Sequence, residues 1–338
     1  MRQKAKPINY DADGENITLC EYSPEDFDSF YACFNGFFQN GYPYTDYLQK
    51  DTLHQMLGEG DLIVLLAKNS KGEVVGTTAA QCVHGRNGSS VFLTLRRVAD
   101  GYKMRGIATV QETYLLELIK ERFPDALSIN AEVVTHRDHS QVTLMHRGFV
   151  LCGLCLTLYH SKVLMPKLEF MPNSRMTLAV YEQPISPHPV NIYAPPEHRE
   201  FIENIYREIG VECTVRENDT APCESTVYHI DRYDAHQAAE LFIDRCGLPN
   251  EEMERDIRTL LDEGYTIVAF VDLCQNGCAK QYETLRRLNF CFSGLKPCVA
   301  IGELMILSNT ENYFGDFTDI VLPPEKQSML KYILEGKL

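Results

Sequence analysis

The order of apolar segments changes near residue 98, and this change limits the possible folds more than any other feature. Three strand-like segments precede it, at 62–68, 74–83 and 91–98. Glycine and asparagine occupy the short turns between them, as in chain reversals. These segments predict an antiparallel meander. A helix ending before Pro124, a strand, a short helix and another strand follow, and this alternation predicts a parallel pair within a mixed sheet.

A proline-rich stretch at 184–196 separates two α/β halves. We predict one domain over residues 1–183 and a second, smaller one over 184–338. The first begins with a strand at 17–22 and a helix capped by Ser23 and Pro24. Further predicted elements are a helix at 46–57, strands at 127–134 and 149–159, and helices at 140–147, 197–209, 235–246, 251–263 and 279–288.

The two halves show a weak internal repeat. Strand, short helix, Arg147-Gly148-Phe149 and strand in the first half parallel strand, short helix, Leu288-Asn289-Phe290 and strand in the second. The offset is close to one domain length. The pattern therefore favours a duplicated fold.

The net charge of −15 excludes nucleic-acid binding as the main role, because an acidic surface repels phosphate backbones. Residues 1–183 carry 18 lysines and arginines against 21 acids, a charge of −3, whereas residues 184–338 carry 14 against 26, a charge of −12. The second half would attract a cationic partner.

No apolar run is long enough to cross a membrane, and no apolar stretch follows the charged first residues. We therefore expect a cytoplasmic protein without a membrane partner, whose twelve cysteines are thiols. Two spacings resemble metal sites, Cys152–Cys155 and Cys274–Cys278. Each lacks the second pair that a structural zinc site needs, so buried thiols and no metal are expected.

The segment from Val98 to Ala108 has the character of an anion site. A strand ends, the chain turns, and a helix begins at Gly106, where unpaired N–H groups and the helix dipole suit a pyrophosphate. Four basic residues lie close in sequence, namely Arg96, Arg97, Lys103 and Arg105. The alternative is an ordinary loop with solvated basic side chains.

Lys103-Met104-Arg105-Gly106-Ile107-Ala108 resembles the (Gln/Arg)-x-x-Gly-x-(Gly/Ala) signature of the GNAT acyltransferases. Val98 matches the end of their fourth strand, and Ser140 to Phe149 resembles their second signature, a short helix ending in Gly-Phe. The resemblance covers roughly residues 17–160. It implies the GNAT fold, with a mixed, centrally splayed sheet, and a second half that is GNAT-like but lacks its own coenzyme A motif.

The resemblance also implies direct transfer of an acetyl group from acetyl-CoA to a primary amine of a small molecule or protein. The implied cofactor-binding residues are Val98, Lys103, Met104, Arg105, Gly106, Ile107 and Ala108. Since alternate strand residues face opposite ways, at most one of Arg96 and Arg97 points toward the cofactor.

The chain departs from the family pattern in the residues that handle protons. Leu144 occupies the position of the usual tyrosine acid, and Arg137 that of an asparagine. The substitutes that we consider for catalysis are Glu132, His136 and His139. For Glu132 the alternative is an ion-paired or solvent-facing strand residue, and for the histidines it is a hydrogen-bonded cap.

Two further expectations concern the acceptor. The loop Gly41-Tyr42-Pro43-Tyr44 would line an acceptor pocket whose rings suit a cationic amine. The second half would cover or complete the cleft. The alternative functions are a non-catalytic acyl-CoA-binding sensor and, more remotely, a metal-binding interaction module. The sequence leaves the oligomeric state open.

Overall fold

A single sheet of thirteen strands runs through the computed structural model, with helices on both faces. The structure describes residues 4–167, 175–216, 224–313, 315 and 317–336. The predicted mixed α/β class is confirmed, because both parallel and antiparallel pairs occur in this sheet. Its strand order is β1-β2-β3-β4-β5-β6-β8-β7-β14-β15-β13-β12-β11.

The first half supplies eight of these strands. They are β1 (Ile8–Ala12), β2 (Glu15–Glu21), β3 (Leu62–Lys68), β4 (Val74–Gly85), β5 (Gly88–Val98), β6 (Ser128–Val134), β7 (Val150–His160) and β8 (Arg175–Pro184). Its helices are α1 (Phe27–Phe38), α2 (Lys50–Glu59), α3 (Ile107–Arg122), α4 (His139–Met145) and α5 (Ser161–Leu164).

The second half begins with β9 (Val190–Ile192), which pairs with β10 (Cys213–Val215) in a separate small sheet. The other strands are β11 (Val227–Tyr233), β12 (Ala238–Arg245), β13 (Thr266–Asp272), β14 (Phe290–Val299) and β15 (Gly302–Asn309). The helices are α6 (Arg199–Ile209), α7 (Glu251–Asp262), α8 (Cys278–Arg286) and α9 (Gln327–Glu335).

The meander and the first helix are confirmed, and local chemistry explains both. β3, β4 and β5 pair antiparallel. The Ser23 N–H donates to the Asp26 carboxylate at 3.0 Å, Pro24 opens a single turn of 3-10 helix, and α1 follows. Phe30, Phe34 and Phe38 are buried at the expected helical spacing.

The predicted helix at 235–246 is wrong, because most of this segment forms strand β12. Ala238 to Leu241 are buried in succession, since β12 lies between β13 and β11 in the sheet and its residues pack into two different hydrophobic clusters, Ala239 and Leu241 into one and Ala238 into the other. A strand covered on both faces loses the apolar–polar alternation that would identify it. The alanine-rich sequence then reads as a helix by propensity alone.

Strands β5 and β6 are parallel neighbours that pair along only part of their length. The register joins Val91–Leu93 of β5 to Ile129–Ala131 of β6 and ends there. Leu95, just beyond, has a positive φ of 53° and lies where the β4–β5 register shifts. The sheet therefore opens between the carboxyl ends of these strands, as the family resemblance implied.

The second half repeats these pairings. In the sheet order β11-β12-β13-β15-β14, neighbouring strands pair antiparallel, parallel, antiparallel and antiparallel. The sheet order β4-β5-β6-β8-β7 of the first half shows the same succession of pairings. One difference is local: β12 and β13 stay paired over six positions, from Ala238↔Thr266 to Ile243↔Val271. The second half therefore has no opening like that between β5 and β6 within its described residues.

The two halves join where β7 meets β14, at the register pair Gly153↔Gly294. A β-carbon on Gly153 would lie 2.7 Å from the Leu295 nitrogen, and one on Gly294 would lie 2.6 Å from the Cys152 carbonyl oxygen. Real β-carbons do not approach backbone so closely. The backbones meet at this point because both residues are glycine.

The buried carboxyl group of Glu303 in β15 connects helix α6 to the large sheet. The Tyr206 hydroxyl donates to it at 2.6 Å and the Cys298 N–H donates at 2.9 Å. Burial raises the pKa of Glu303 to about 7 from an ordinary value of 4.5, and the nearby Asp272 adds to the rise. The folded chain therefore binds this proton more tightly than the unfolded chain does.

This pKa shift predicts that the chain loses stability as pH rises from about 5 to about 8. The contribution of Glu303 is about 3 kcal/mol, because each pKa unit is worth about 1.4 kcal/mol. Glu303→Gln keeps an acceptor for both donors and should remove this part of the loss. Urea unfolding of both proteins at pH 4.5 and 8.5 measures it, since the loss runs from the ordinary pKa of 4.5 to the raised pKa of about 7. Equal losses in the two proteins would contradict the assignment.

Candidate active site

The turn before α3 presents a row of unpaired backbone donors. Among the residues that the structure describes, no acceptor is found for the N–H groups of residues 103–108. Gly106 has a φ of +75° and caps the helix, and Ala108 on the first turn is exposed. The Tyr10 hydroxyl donates to the Arg105 carbonyl oxygen at 2.5 Å, which fixes the turn from the β1–β2 hairpin.

Glycine is required at position 106 for two reasons. Its φ lies in the left-handed region, where a side chain is strained, and a β-carbon there would lie 2.5 Å from the Tyr10 hydroxyl. The remaining residues of the turn differ in burial. Ile107 is buried, whereas Lys103 and Met104 are exposed. The free N–H groups are therefore open to a ligand from solvent.

All four predicted basic residues have carboxylate partners. Arg96 pairs with Glu112 of α3, and Arg105 pairs with Glu15 at 3.2 Å. Lys103 and Arg97 both contact Asp100, at 2.7 and 2.9 Å, and lower the pKa of that carboxyl to about 2. An incoming phosphate would have to share these cations with their carboxylates.

Arg96 and Arg97 lie on opposite faces of the sheet, as predicted from strand alternation. Arg96 reaches Glu112 beside α3, while the Arg97 guanidinium stacks 4.1 Å from the ring centroid of Phe37 in α1. Val98 pairs with Gly76 at the end of β5 and is half-buried. The two arginines therefore cannot serve one ligand together.

Glu132 is ion-paired with a lysine from the second half of the chain. Its carboxylate lies 2.6 Å from the Lys296 ammonium, and both side chains are mostly buried. The ammonium also lies over the rings of Phe92 and Phe270, at 5.6 and 5.9 Å from their centroids. Burial acts to lower the pKa of Lys296, but Glu132 and Glu240 outweigh it and raise the pKa.

Glu240 of β12 completes this group. Burial, together with the charge of Glu132, raises its pKa to about 7, although Lys296 acts in the opposite direction. The Tyr233 hydroxyl donates to the Glu240 carboxylate at 3.0 Å. Because that pKa is close to neutral pH, Glu240 can accept a proton from a neighbour and release it again.

The structure does not join the two predicted histidines to Glu132 by any hydrogen bond or ion pair among the described residues. Burial lowers the pKa of His136 to about 4, so its ring is neutral at pH 7. The preceding residue, Thr135, accepts a hydrogen bond from the Val321 N–H, which covers this loop. His139 is 78% exposed and lies 3.6 Å from Asp138.

Two neighbouring cavities lie beside the charged group, one of about 520 Å³ and one of about 210 Å³. Tyr44, Tyr47 and Gln81 line both of them. Asp231 and Tyr233 of β11 line the larger cavity, which we call the outer cavity. Lys296 lines the smaller, which we call the inner cavity. Both halves of the chain therefore contribute to one cleft.

Tyr42 of the predicted acceptor loop is positioned at the opening in the sheet. Its hydroxyl lies 2.6 Å from the Thr94 hydroxyl and is also hydrogen-bonded to the backbone of Leu95. Burial raises the pKa of Tyr42 to about 12. Tyr44, two residues on, packs edge-on against Phe92 and Tyr233, with centroids 6.0 and 6.3 Å apart. This loop therefore lies between the opening and the cleft.

The remaining predictions concern Leu144 and the cysteines. Leu144 is fully buried in the core. No disulfide joins two of the described cysteines, and Cys223 lies outside the described residues. The only group of three potential metal ligands found among those residues is Asp61, Cys82 and His84, which includes neither predicted cysteine pair.

Sequence reasoning missed Lys296, Glu240, Tyr233 and Tyr10. Lys296 and Glu240 carried a signal, because each is a charged residue inside an apolar segment, Ser-Gly-Leu-Lys-Pro-Cys and Ala-Ala-Glu-Leu-Phe. A charge in such a segment is buried only when it is paired. Tyr233 and Tyr10 carried no comparable signal.

Within the described residues, no helix has the length and apolar character needed to span a membrane.

Similar solved structures include the ribosomal-protein-alanine N-acetyltransferase from Brucella melitensis, at 20% identity over 49% of this chain and 98% of that chain, with a TM-score of 0.39. Arabidopsis thaliana NAA60 in complex with acetyl-CoA matches at 13% identity over 50% of this chain and 98% of that chain (TM-score 0.39). A GNAT superfamily phosphinothricin acetyltransferase from Sinorhizobium meliloti, in complex with AcCoA, matches at 17% identity over 50% and 88% (TM-score 0.37). No protein-family model and no curated protein matches the chain.

Proposed function

We propose that the chain is an N-acyltransferase that moves an acetyl group from acetyl-CoA to a primary amine. The observation that carries this proposal is the exposed turn at residues 103–108, whose unpaired N–H groups lie at the start of α3. A helix N-terminus with free donors and a partial positive charge binds a pyrophosphate. The amides from Lys103 to Ala108 would hold that part of the cofactor, and Val98 at the end of β5 would bind the adjoining part of coenzyme A.

The opening between β5 and β6 supports the placement of the rest of acetyl-CoA. Past Leu93 and Ala131 the two strands no longer pair, so an extended chain with amide groups could lie along β5. It would run from the turn toward the Leu95 bulge and the Tyr42 hydroxyl. The thioester would then lie beside the cleft that Lys296 lines, with Glu132 and Glu240 buried behind Lys296.

In the proposed reaction the amine nitrogen attacks the thioester carbonyl carbon, a C–N bond forms and the C–S bond breaks. The amine loses one proton, and the departing thiolate gains one. We assign the proton acceptor to the neighbouring carboxylates of Glu132 and Glu240, with Lys296 compensating the negative charge. His136 and His139 remain second candidates, without a described contact to this pair.

We also propose that residues 184–338 are a second GNAT-like domain without its own cofactor site. The repeated strand pairings support a duplicated fold, and the continuous β12–β13 pairing leaves no room for a cofactor between those strands. This domain would complete the acceptor cleft through Asp231, Tyr233 and Lys296, with Glu240 buried next to Lys296. Its charge of −12 suits a cationic acceptor.

A second function is favoured by one observation, the buried leucine at position 144. A chain without the family's usual acid would bind acyl-CoA as a sensor and not transfer the acyl group. The two functions differ in turnover and share the binding step. Release of free thiol from acetyl-CoA in the presence of amines supports the enzyme, whereas binding without release supports the sensor.

The test of the cofactor site is calorimetric titration with acetyl-CoA, coenzyme A and ADP. We expect saturable binding of all three, because they share the pyrophosphate. Gly106→Val should weaken each at least tenfold, since the side chain strains the turn and displaces Tyr10. Gly101→Val is the matched control, because a β-carbon there meets nothing within 4 Å. Equal affinities for the two variants would refute the placement.

A further inference from the structure

The outer cavity carries two carboxylates without a compensating cation. Asp46 and Asp231 both line it, and neither forms a salt bridge with any described residue. Arg232 is the one basic residue in the lining, and its guanidinium is engaged with Asp234, Glu263 and the Tyr265 ring. An anion would be repelled from this cavity, whereas a cation would be attracted.

The acidic character continues inward along the sheet. Asp231 of β11 lies directly opposite Glu240 of β12 in antiparallel register, so their side chains share one face. Like charges opposite each other are unfavourable unless a cation lies nearby. Lys296 is that cation for Glu240 and Glu132, but it leaves two carboxylates for one ammonium and does not contact Asp231.

The aromatic side chains of the cleft suit the same ligand. Tyr44 and Tyr47 line both cavities and Tyr233 lines the outer one, and ring faces attract ammonium groups. The Tyr159 ring packs edge-on against Tyr233 at 5.5 Å. Its buried hydroxyl is hydrogen-bonded to Tyr44, so Tyr159 supports the lining tyrosines Tyr44 and Tyr233 from behind and lines neither cavity itself.

We propose that the cleft binds a small aliphatic diamine, with one amine in the inner cavity beside the buried Glu132–Glu240 pair and a second, protonated amine held by Asp231 and Asp46 in the outer cavity. This inference rests on the proposed function, because the inner amine is the one that would receive the acetyl group. It adds the substrate class, an acceptor with a second positive charge. The outer amine is bound and positioned but does not react.

The experiment is calorimetric titration of the full chain, without acyl donor, at fixed ionic strength. The probes are 1,4-diaminobutane, 1-aminobutane and 4-aminobutanoate. We expect the diamine to bind at least tenfold more tightly than the monoamine, and 4-aminobutanoate to bind most weakly, since its carboxylate would face Asp231. Equal affinity for the diamine and the monoamine would overturn the proposal.

Two variants test which residues bind the second, protonated amine of the diamine. Asp231→Asn and Asp46→Asn should each weaken binding of the diamine more than binding of the monoamine, and so reduce the preference for the diamine several-fold. Asp262→Asn is the matched control, because it removes one exposed acid of the same half at the end of α7. An equal loss with Asp262→Asn would mean that only the net charge attracts the diamine, and this would refute the site.

The two proposals fail separately. If acetyl-CoA binds but the diamine does not, the substrate class is wrong and the acyltransferase proposal stands. If the diamine binds selectively but acetyl-CoA, coenzyme A and ADP do not, the acyltransferase proposal fails while the cleft remains a diamine site.

Discussion

Gly294→Val is expected to prevent stable folding, because β7 and β14 meet at the pair Gly153↔Gly294. The φ of Gly294 is +113°, which a β-branched residue does not adopt, and its β-carbon would overlap the backbone of Cys152 and Gly153. Strain at such a φ costs about 1–3 kcal/mol, and overpacking a buried site costs about 1–3 kcal/mol more. Together these are a large fraction of the roughly 5–15 kcal/mol that stabilises a typical protein.

The measurement is the urea midpoint of the purified variant, or its yield of folded protein if none can be purified. Gly58→Ala is the matched control, since Gly58 lies inside α2 and a β-carbon there meets nothing within 4 Å. That control should be neutral or stabilising by up to about 1 kcal/mol. A Gly294→Val midpoint close to that of the natural chain would show that β7 and β14 can join in another way.

Lys296→Met is expected to destabilise the chain strongly at pH 8 and to abolish acyl transfer. The substitution leaves Glu132 and Glu240 buried side by side without a cation, and removing one partner of a buried pair costs about 3–5 kcal/mol. Adding Glu132→Gln to the Lys296→Met variant removes the Glu132 carboxylate, which has lost its cation. The double variant should therefore recover most of the lost stability, which urea unfolding of the two single variants and the double variant measures.

A matched control is Lys331→Met, which breaks the exposed pair with Glu335, whose side chain is 63% exposed. Exposed pairs contribute about 0–1 kcal/mol, so this change should have little effect. If the losses for Lys296→Met and Glu132→Gln simply added in the double variant, the two residues would not act as a pair. Affinity for acetyl-CoA should survive in the double variant, because the turn at residues 103–108 lies on other elements.

The parts of the fold that sequence reasoning predicted are those in which neighbouring residues decide the conformation. Ser23 and Pro24 begin a helix wherever a chain places them before an apolar helical face, and the meander follows from its turns. The helix start predicted at Gly106 is also local, and α3 follows directly after this glycine. The helix predicted at 235–246 failed because burial on both faces of β12 removed the local pattern.

The sequence by itself determined the meander, the first helix and the exposed glycine turn, because each depends on contacts within a few residues. Its alternation of helix and strand signals also predicted the mixed sheet. Only the tertiary structure decided which charges are neutralised. Lys296 and Glu132 are 164 residues apart in sequence, and Tyr10 reaches the Arg105 carbonyl across 95 residues. The basic cluster at residues 96–105 looked free in the sequence, yet its partners include Glu15 and Glu112. Sequence spacing does not predict such pairs, since a charge's energy depends on burial and on partners that folding brings from distant strands.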